Sequence, residues 1–221
     1  LDGFIYNPNP PQQVEKLQKI IALISLGSAL VLVAAVVLLA AQRRLKLEIQ
    51  RRKVAEEEVR ALAFRDSLTG LPNRNSFIPY INQKLLSARR SGESLALCYI
   101  DLNKFKEIND SFGHQAGDAV LIHAARAISA SIRESDMAAR MGGDEFVVLL
   151  DGVHNSVDIE RLTTQICQAI ARPLQWQGRC LHVTASLGVA RCPQDGEHLD
   201  ELMSKADVEM FTKKAVMLVL R

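Results

Sequence analysis

The chain has 221 residues, with 27 Lys and Arg against 25 Asp and Glu and a formal net charge of +2. That balance excludes a polycation that coats nucleic acid, so no nucleic-acid partner is expected, and it equally excludes an acidic disordered tail. Cys98, Cys167, Cys180 and Cys192 lie far apart without a CxxC pair, which argues against a zinc site or a disulfide scaffold and for reduced, cytosolic thiols.

From Ile20 to Ala41 the chain runs 22 residues without a charge. A helix of that length spans about 33 Å, enough for a bilayer core, so residues 20–41 are expected to be a transmembrane helix. A buried core helix of this length would seldom lack every charge. A cleaved signal peptide fits poorly behind the polar lead LDGFIYNPNPPQQ, and the chain reads as a fragment continued upstream, residues 1–19 ending an extracytoplasmic segment. Residues 42–53 carry Arg43, Arg44, Lys46, Arg51, Arg52 and Lys53 against Glu48, whereas residues 1–19 balance two and two. The positive-inside rule then puts everything after Gln42 in the cytoplasm, at the inner membrane. Residues 42–64 contain neither Gly nor Pro and should continue as a linker helix. Along the seam Leu45, Ile49, Arg52, Glu56, Val59 and Ala63 about four of six positions are apolar, so a solvated helix and a dimer zipper both fit.

Past Asp66 short elements alternate with turn chemistry, and residues 65–221 are expected to form a compact domain. The expectation is a turn at Pro72 and Asn73, a helix from about Ser76 to Arg90, a buried strand LALCYID ending at Asp101, and a helix from about His114 to Ile132. Strands MAARM and FVVLL follow, joined through Gly142, Gly143, Asp144 and Glu145 as a hairpin. A helix near Val157 to Ala171, a strand LHVTASLGVA and a helix from about Leu199 to Lys214 complete an α+β fold, an antiparallel sheet backed by helices.

Asp101 closes a strand and Asp144 stands in the glycine hairpin, so neighbouring strands would bring both carboxylates to one sheet edge. Such a pair suits Mg²⁺, which takes a few carboxylates together with water and phosphate oxygens. Gly142 and Gly143 would let main chain approach a phosphate, and they equally satisfy a tight turn alone. The polar run from Asp101 to Asp118 reads as a solvated loop; Lys106 and Phe112 at its sixth and twelfth positions exclude an EF-hand. Asn109, His114 and Asp118 within it have the donors and acceptors to read a base edge. Arg133 and Asp136 read as an ion pair at a helix end.

The segment Arg140-Met-Gly-Gly-Asp-Glu-Phe146, with DLNKFKEINDSFGHQAGD upstream, resembles the GGDEF family of diguanylate cyclases. Asp66-Ser-Leu-Thr-Gly-Leu-Pro-Asn-Arg74, Ala185-Ser-Leu-Gly-Val-Ala190 with Pro193-Gln-Asp-Gly196, and Ala206-Asp207 with Met210-Phe211 extend the resemblance over about residues 64–214. It implies a palm-like fold related to nucleotide cyclases, and a homodimer that converts two GTP into cyclic di-GMP and pyrophosphate. By position, Asp101, Asp144 and the carbonyl of Leu102 would hold Mg²⁺ or Mn²⁺, and Asp144, beside Glu145 in the catalytic turn, would serve as base for the 3′-hydroxyl. Asn109, His114 and Asp118 match guanine-side positions, with Lys106, Lys214 and the Gly142–Gly143 turn at the phosphates. Arg133 and Asp136 match an RxxD site at which product inhibits. The chain departs from the family pattern at Asn103, where a second acid is frequent, and after Lys214, where Leu218 replaces an expected Arg and no closing strand is specified. The resemblance also admits a catalytically inactive domain serving as a receptor for GTP or cyclic di-GMP.

Overall fold

The computed structural model describes residues 10–153 and 155–219. The chain divides into two units after Val59. The first consists of the greater part of α1 (Pro10–Phe64), an uninterrupted helix of 55 residues. Its stretch Gln12–Lys53 is long and apolar enough to cross a membrane by length and composition, with a mean hydropathy of 2.8 over its most apolar 18-residue window. The apolar side chains there are exposed all round among the described residues, Leu30 at 73% and Val31 at 70%.

The second unit is built on a four-stranded sheet in the order β2-β3-β1-β6, every neighbouring pair antiparallel. Its strands are β1 (Leu95–Asn103), β2 (Met137–Gly142), β3 (Glu145–Asp151) and β6 (Thr184–Cys192). Helices cover both faces. Alternation along β1 sends Ala96, Cys98, Ile100 and Leu102 to one side, where α3 (Phe105–Phe112), α4 (His114–Ser131) and α5 (Ser156–Ile170) pack with Ile108, Val120, Ile128 and Ile166. Leu95, Leu97 and Tyr99 point the other way, into a second core with Phe77, Ile81 and Leu85 of α2 (Arg74–Ser91) and Leu202, Ala206 and Met210 of α6 (Leu199–Val219). The palm-like α+β layer expected from the sequence is thus present, with helices on two faces of the sheet.

Local chemistry explains the boundaries. α2 starts where the Asn73 side chain accepts from the Ser76 amide at 3.1 Å, and it stops at Gly92, whose left-handed backbone returns an N–H to Ala88 O. Three expectations need correction. The polar run after Asp101 contains a full helix, α3, entered through Lys104 at φ 60. The segment LHVTASLGVA is two strands: β5 (Arg179–Leu181) pairs with β4 (Leu174–Trp176) across a turn at Gln177 and Gly178, and β6 begins only at Thr184. The last helix does not end at Lys214 but continues as α6 to Val219.

Candidate functional site

The carboxyl end of β1 meets the turn between β2 and β3. Asp101 lies opposite Glu145 in the β1–β3 ladder, and the Leu102 amide donates to the carbonyl of Asp144 at 3.3 Å. Amide and carbonyl of one strand residue leave the strand on the same side, so the Leu102 carbonyl also faces the Asp144 turn. Gly142 and Gly143 form that turn at φ 146 and φ 54, conformations that side chains strain to adopt. Continuing the alternation of Leu97 and Tyr99, Asp101 projects to the α6 face, where the Lys214 ammonium forms an ion pair with its carboxylate. Burial pushes the Asp144 carboxyl above its usual value and the Asp101 charge pushes it further, with Lys214 and Arg140 opposing. Burial, then the Glu145 charge, raises the Tyr99 hydroxyl in the same way. Two carboxylates and a strand-end carbonyl therefore converge on one partly open edge. Among the described residues no cluster of three or more His, Cys, Asp or Glu exists, so a cation held here would complete its shell with water or substrate oxygens, as Mg²⁺ commonly does.

The turn is held from behind by Arg140. Its Nε and Nη2 donate to the Gly143 carbonyl at 3.0 and 2.7 Å, and its Nη1 donates to both carboxylate oxygens of Asp66 at 3.0 Å. The Asp66 carboxylate also accepts from the amide and hydroxyl of Thr69 at 2.8 and 2.6 Å. Burial alone would raise the Asp66 carboxyl, but the Thr69 and Arg140 hydrogen bonds outweigh it and hold the group below its usual value. Asn73, next to this frame, donates from Nδ2 to the carbonyls of Ala63 and Arg65. Asn103, the departure from the family pattern, donates to Thr184 Oγ1 at 3.1 Å and accepts from Ser186 Oγ at 2.8 Å, so its amide bridges two hydroxyls of β6.

The expected base-reading residues lie on the opposite helical layer. Asn109 is half-buried on α3, while His114 and Asp118 are exposed on α4, and the two helices meet at Gly113, whose N–H donates to Asn109 O at 2.9 Å. A Cβ on Gly117 would stand 2.0 Å from Asn109 Oδ1, so the missing side chain is what lets the Asn109 amide lie against α4 beside Asp118. Lys106 is exposed on α3, as His114 is on α4, so both side chains face solvent.

Arg133 and Asp136 do not form the ion pair that their spacing suggests. The Asp136 carboxylate instead accepts from the main-chain amides of Arg133 at 3.0 Å and Asp151 at 3.1 Å, fastening the loop before β2 to the end of β3. The exposed Arg133 side chain is left to line a cavity of about 280 Å³ with Asp136, Arg161 and Gln165. Arg161 and the Arg140 frame carry no signal in spacing or composition, because both depend on tertiary contacts.

An antiparallel sheet with a glycine turn presenting acids at the end of its central strand defines a nucleotide-cyclase-like domain. The family model described as "Diguanylate cyclase, GGDEF domain" matches residues 63–217, and the chain belongs to that family. Diguanylate cyclase TpbB of Pseudomonas aeruginosa is 39% identical over 153 residues, 69% of this chain and 35% of that protein. Cyclic di-GMP phosphodiesterase NbdA of the same organism is 40% identical over 161 residues, 73% of this chain and 20% of that protein. The coiled coil and GGDEF domain of DgcB from Caulobacter crescentus, in complex with c-di-GMP, matches with a TM-score of 0.72 at 27% identity, covering 80% of this chain and 94% of that one. The chain thus spans about a fifth to a third of the length of these curated relatives.

Proposed function

We propose that this chain is a membrane-tethered diguanylate cyclase that condenses two GTP into cyclic di-GMP with release of two pyrophosphates. The observation that carries the reading is the convergence of Asp101 and Asp144 at the end of β1, beside a glycine turn where backbone can approach phosphates. Mg²⁺ or Mn²⁺ held by Asp101, Asp144 and the Leu102 carbonyl would orient the triphosphate and offset charge on the leaving pyrophosphate.

The chain's own residues supply the rest. Asp118 accepts and Asn109 both accepts and donates at the guanine edge, with His114 beside them, while Lys106 and Lys214 neutralise phosphate oxygens. Asp144 takes the proton of the 3′-hydroxyl as its oxygen attacks the α-phosphorus of a second GTP; the new P–O bond forms as the bond to the β-phosphate bridge breaks. Each domain holds one nucleotide, so two copies must face each other, and the second attack closes the ring. Arg133, free on the cavity with Arg161, suits the guanine and phosphate of bound product, as stacking and forked donors allow.

Residues 20–41 anchor the chain in the inner membrane, with residues 42–64 as linker and the domain from residue 65 in the cytoplasm; the exposed apolar face of α1 and the Arg-rich flank support this. A second reading, an inactive receptor for GTP or cyclic di-GMP, is favoured by Lys214 sitting on Asp101 and by a relative named as a phosphodiesterase. Incubating the full chain in detergent with GTP and Mg²⁺ and analysing the mixture by mass spectrometry separates the two. Cyclic di-GMP formation is the expected result; GTP binding without product would establish the receptor instead.

A further inference from the structure

The cation nearest the acidic pair belongs to the protein. Lys214 places its ammonium on Asp101 Oδ1, with 32% of the Lys214 side chain and 16% of the Asp101 side chain exposed. The same charge opposes, without cancelling, the rise that burial and Asp101 impose on the Asp144 carboxyl, so it acts on both acids. Its helix is held firmly: a Cβ on Gly188 of β6 would stand 1.9 Å from Ala206 O and 2.4 Å from Met210 N, so α6 lies directly on the sheet one turn before Lys214. The neighbouring Lys213 is engaged elsewhere, with Glu209 at 2.7 Å.

We propose that Lys214 is a resident counter-ion at Asp101 that a divalent cation must displace, so that metal alone binds weakly and metal with triphosphate binds well. This rests on the metal reading given above. An oxygen that accepts from an ammonium cannot also ligate a divalent ion at full strength, because the two cations repel across the same partly desolvated edge. A lysine side chain pivots on four methylenes, so the ammonium can leave Asp101 without moving α6. A triphosphate arriving with the metal offers it new oxygen partners, and the cost of vacating Asp101 is then offset. The acids are thereby kept paired between turnovers, and free divalent ions do not fill the site without nucleotide.

The test is a titration of the full chain in detergent with Mn²⁺, free ion being read by electron paramagnetic resonance without nucleotide. K214Q should bind Mn²⁺ about tenfold more tightly than the unaltered chain, the order expected when one unit charge is removed beside a partly solvated site. K213Q should stay within about twofold, its charge lying beside a different partner. D101N should abolish the binding in both backgrounds. When GTP accompanies the metal, the order should reverse, K214Q binding the nucleotide more weakly. If the unaltered chain and K214Q bind Mn²⁺ equally while D101N removes it, the inference on Lys214 fails and the metal reading stands. Equal tightening in K213Q also overturns the inference, since any nearby charge would then do the same. Absence of Asp101-dependent binding in every chain overturns both.

Discussion

Arg140 ties Asp66 to the carbonyl of Gly143. One guanidinium bridges the opening motif of the domain and the glycine turn that carries Asp144, with four donor contacts between 2.7 and 3.0 Å. The fork reaches both partners because its donors are fixed in one plane, which an ammonium cannot imitate.

Replacing Arg140 by Lys should therefore loosen the turn while leaving the guanine-side residues on α3 and α4 untouched. Cyclase kinetics should show kcat falling about tenfold or more with KM for GTP nearly unchanged, since misplacing a reacting group costs rate before binding. Thermal unfolding should show a loss of about 1.5–3 kcal/mol for the hydrogen bonds to charged groups.

Asp66 predicts an acid limb. Its carboxyl is held below the ordinary value near 3.8, so its contribution is fully present above that pH and is lost as pH falls through the lower folded value. D66N should remove this limb. Unfolding followed by circular dichroism between about pH 5 and pH 2 measures the slope, which should be shallower in the variant.

Gly117 separates binding from stability. Gly117→Ala adds a methyl 2.0 Å from Asn109 Oδ1, which must swing away, while alanine improves helix propensity by about 1 kcal/mol. Calorimetry should find GTP affinity down by about one order of magnitude, the cost of one lost polar contact, with the melting temperature unchanged or higher.

Arg133 and Asp136 should part company. R133A should relieve inhibition by added cyclic di-GMP without lowering stability, because its side chain supports no part of the fold. D136A should weaken inhibition and also cost about 1–3 kcal/mol, since two main-chain amides lose their acceptor. Parallel inhibition curves and urea unfolding of the two variants check the distinction.

Much of this domain was legible because its signals are local. The Gly142–Gly143 turn between apolar runs announces the β2–β3 hairpin, and Asn73 before Ser76 announces the start of α2. α3 was missed because its eight residues are mostly polar and it buries Ile108 alone, a stripe too narrow for periodicity to reveal. The β4–β5 hairpin has three residues to a strand, too few for alternation to register, although Gln177 and Gly178 carry the turn. Arg140 reaching Asp66 across 74 positions has no counterpart in spacing. The same holds for Arg161 lining one cavity with Arg133, a neighbourhood created where α5 and the loop before β2 come together.

In the proposed reaction Asp144 accepts the 3′-proton and helps to hold the metal. Turnover of GTP to cyclic di-GMP by D144A, compared with the unaltered full chain under matched Mg²⁺ and with folding verified by circular dichroism, tests it most directly. The expected outcome is a folded protein whose product formation falls by at least about two orders of magnitude. A folded D144A chain that makes cyclic di-GMP at close to the original rate would contradict it.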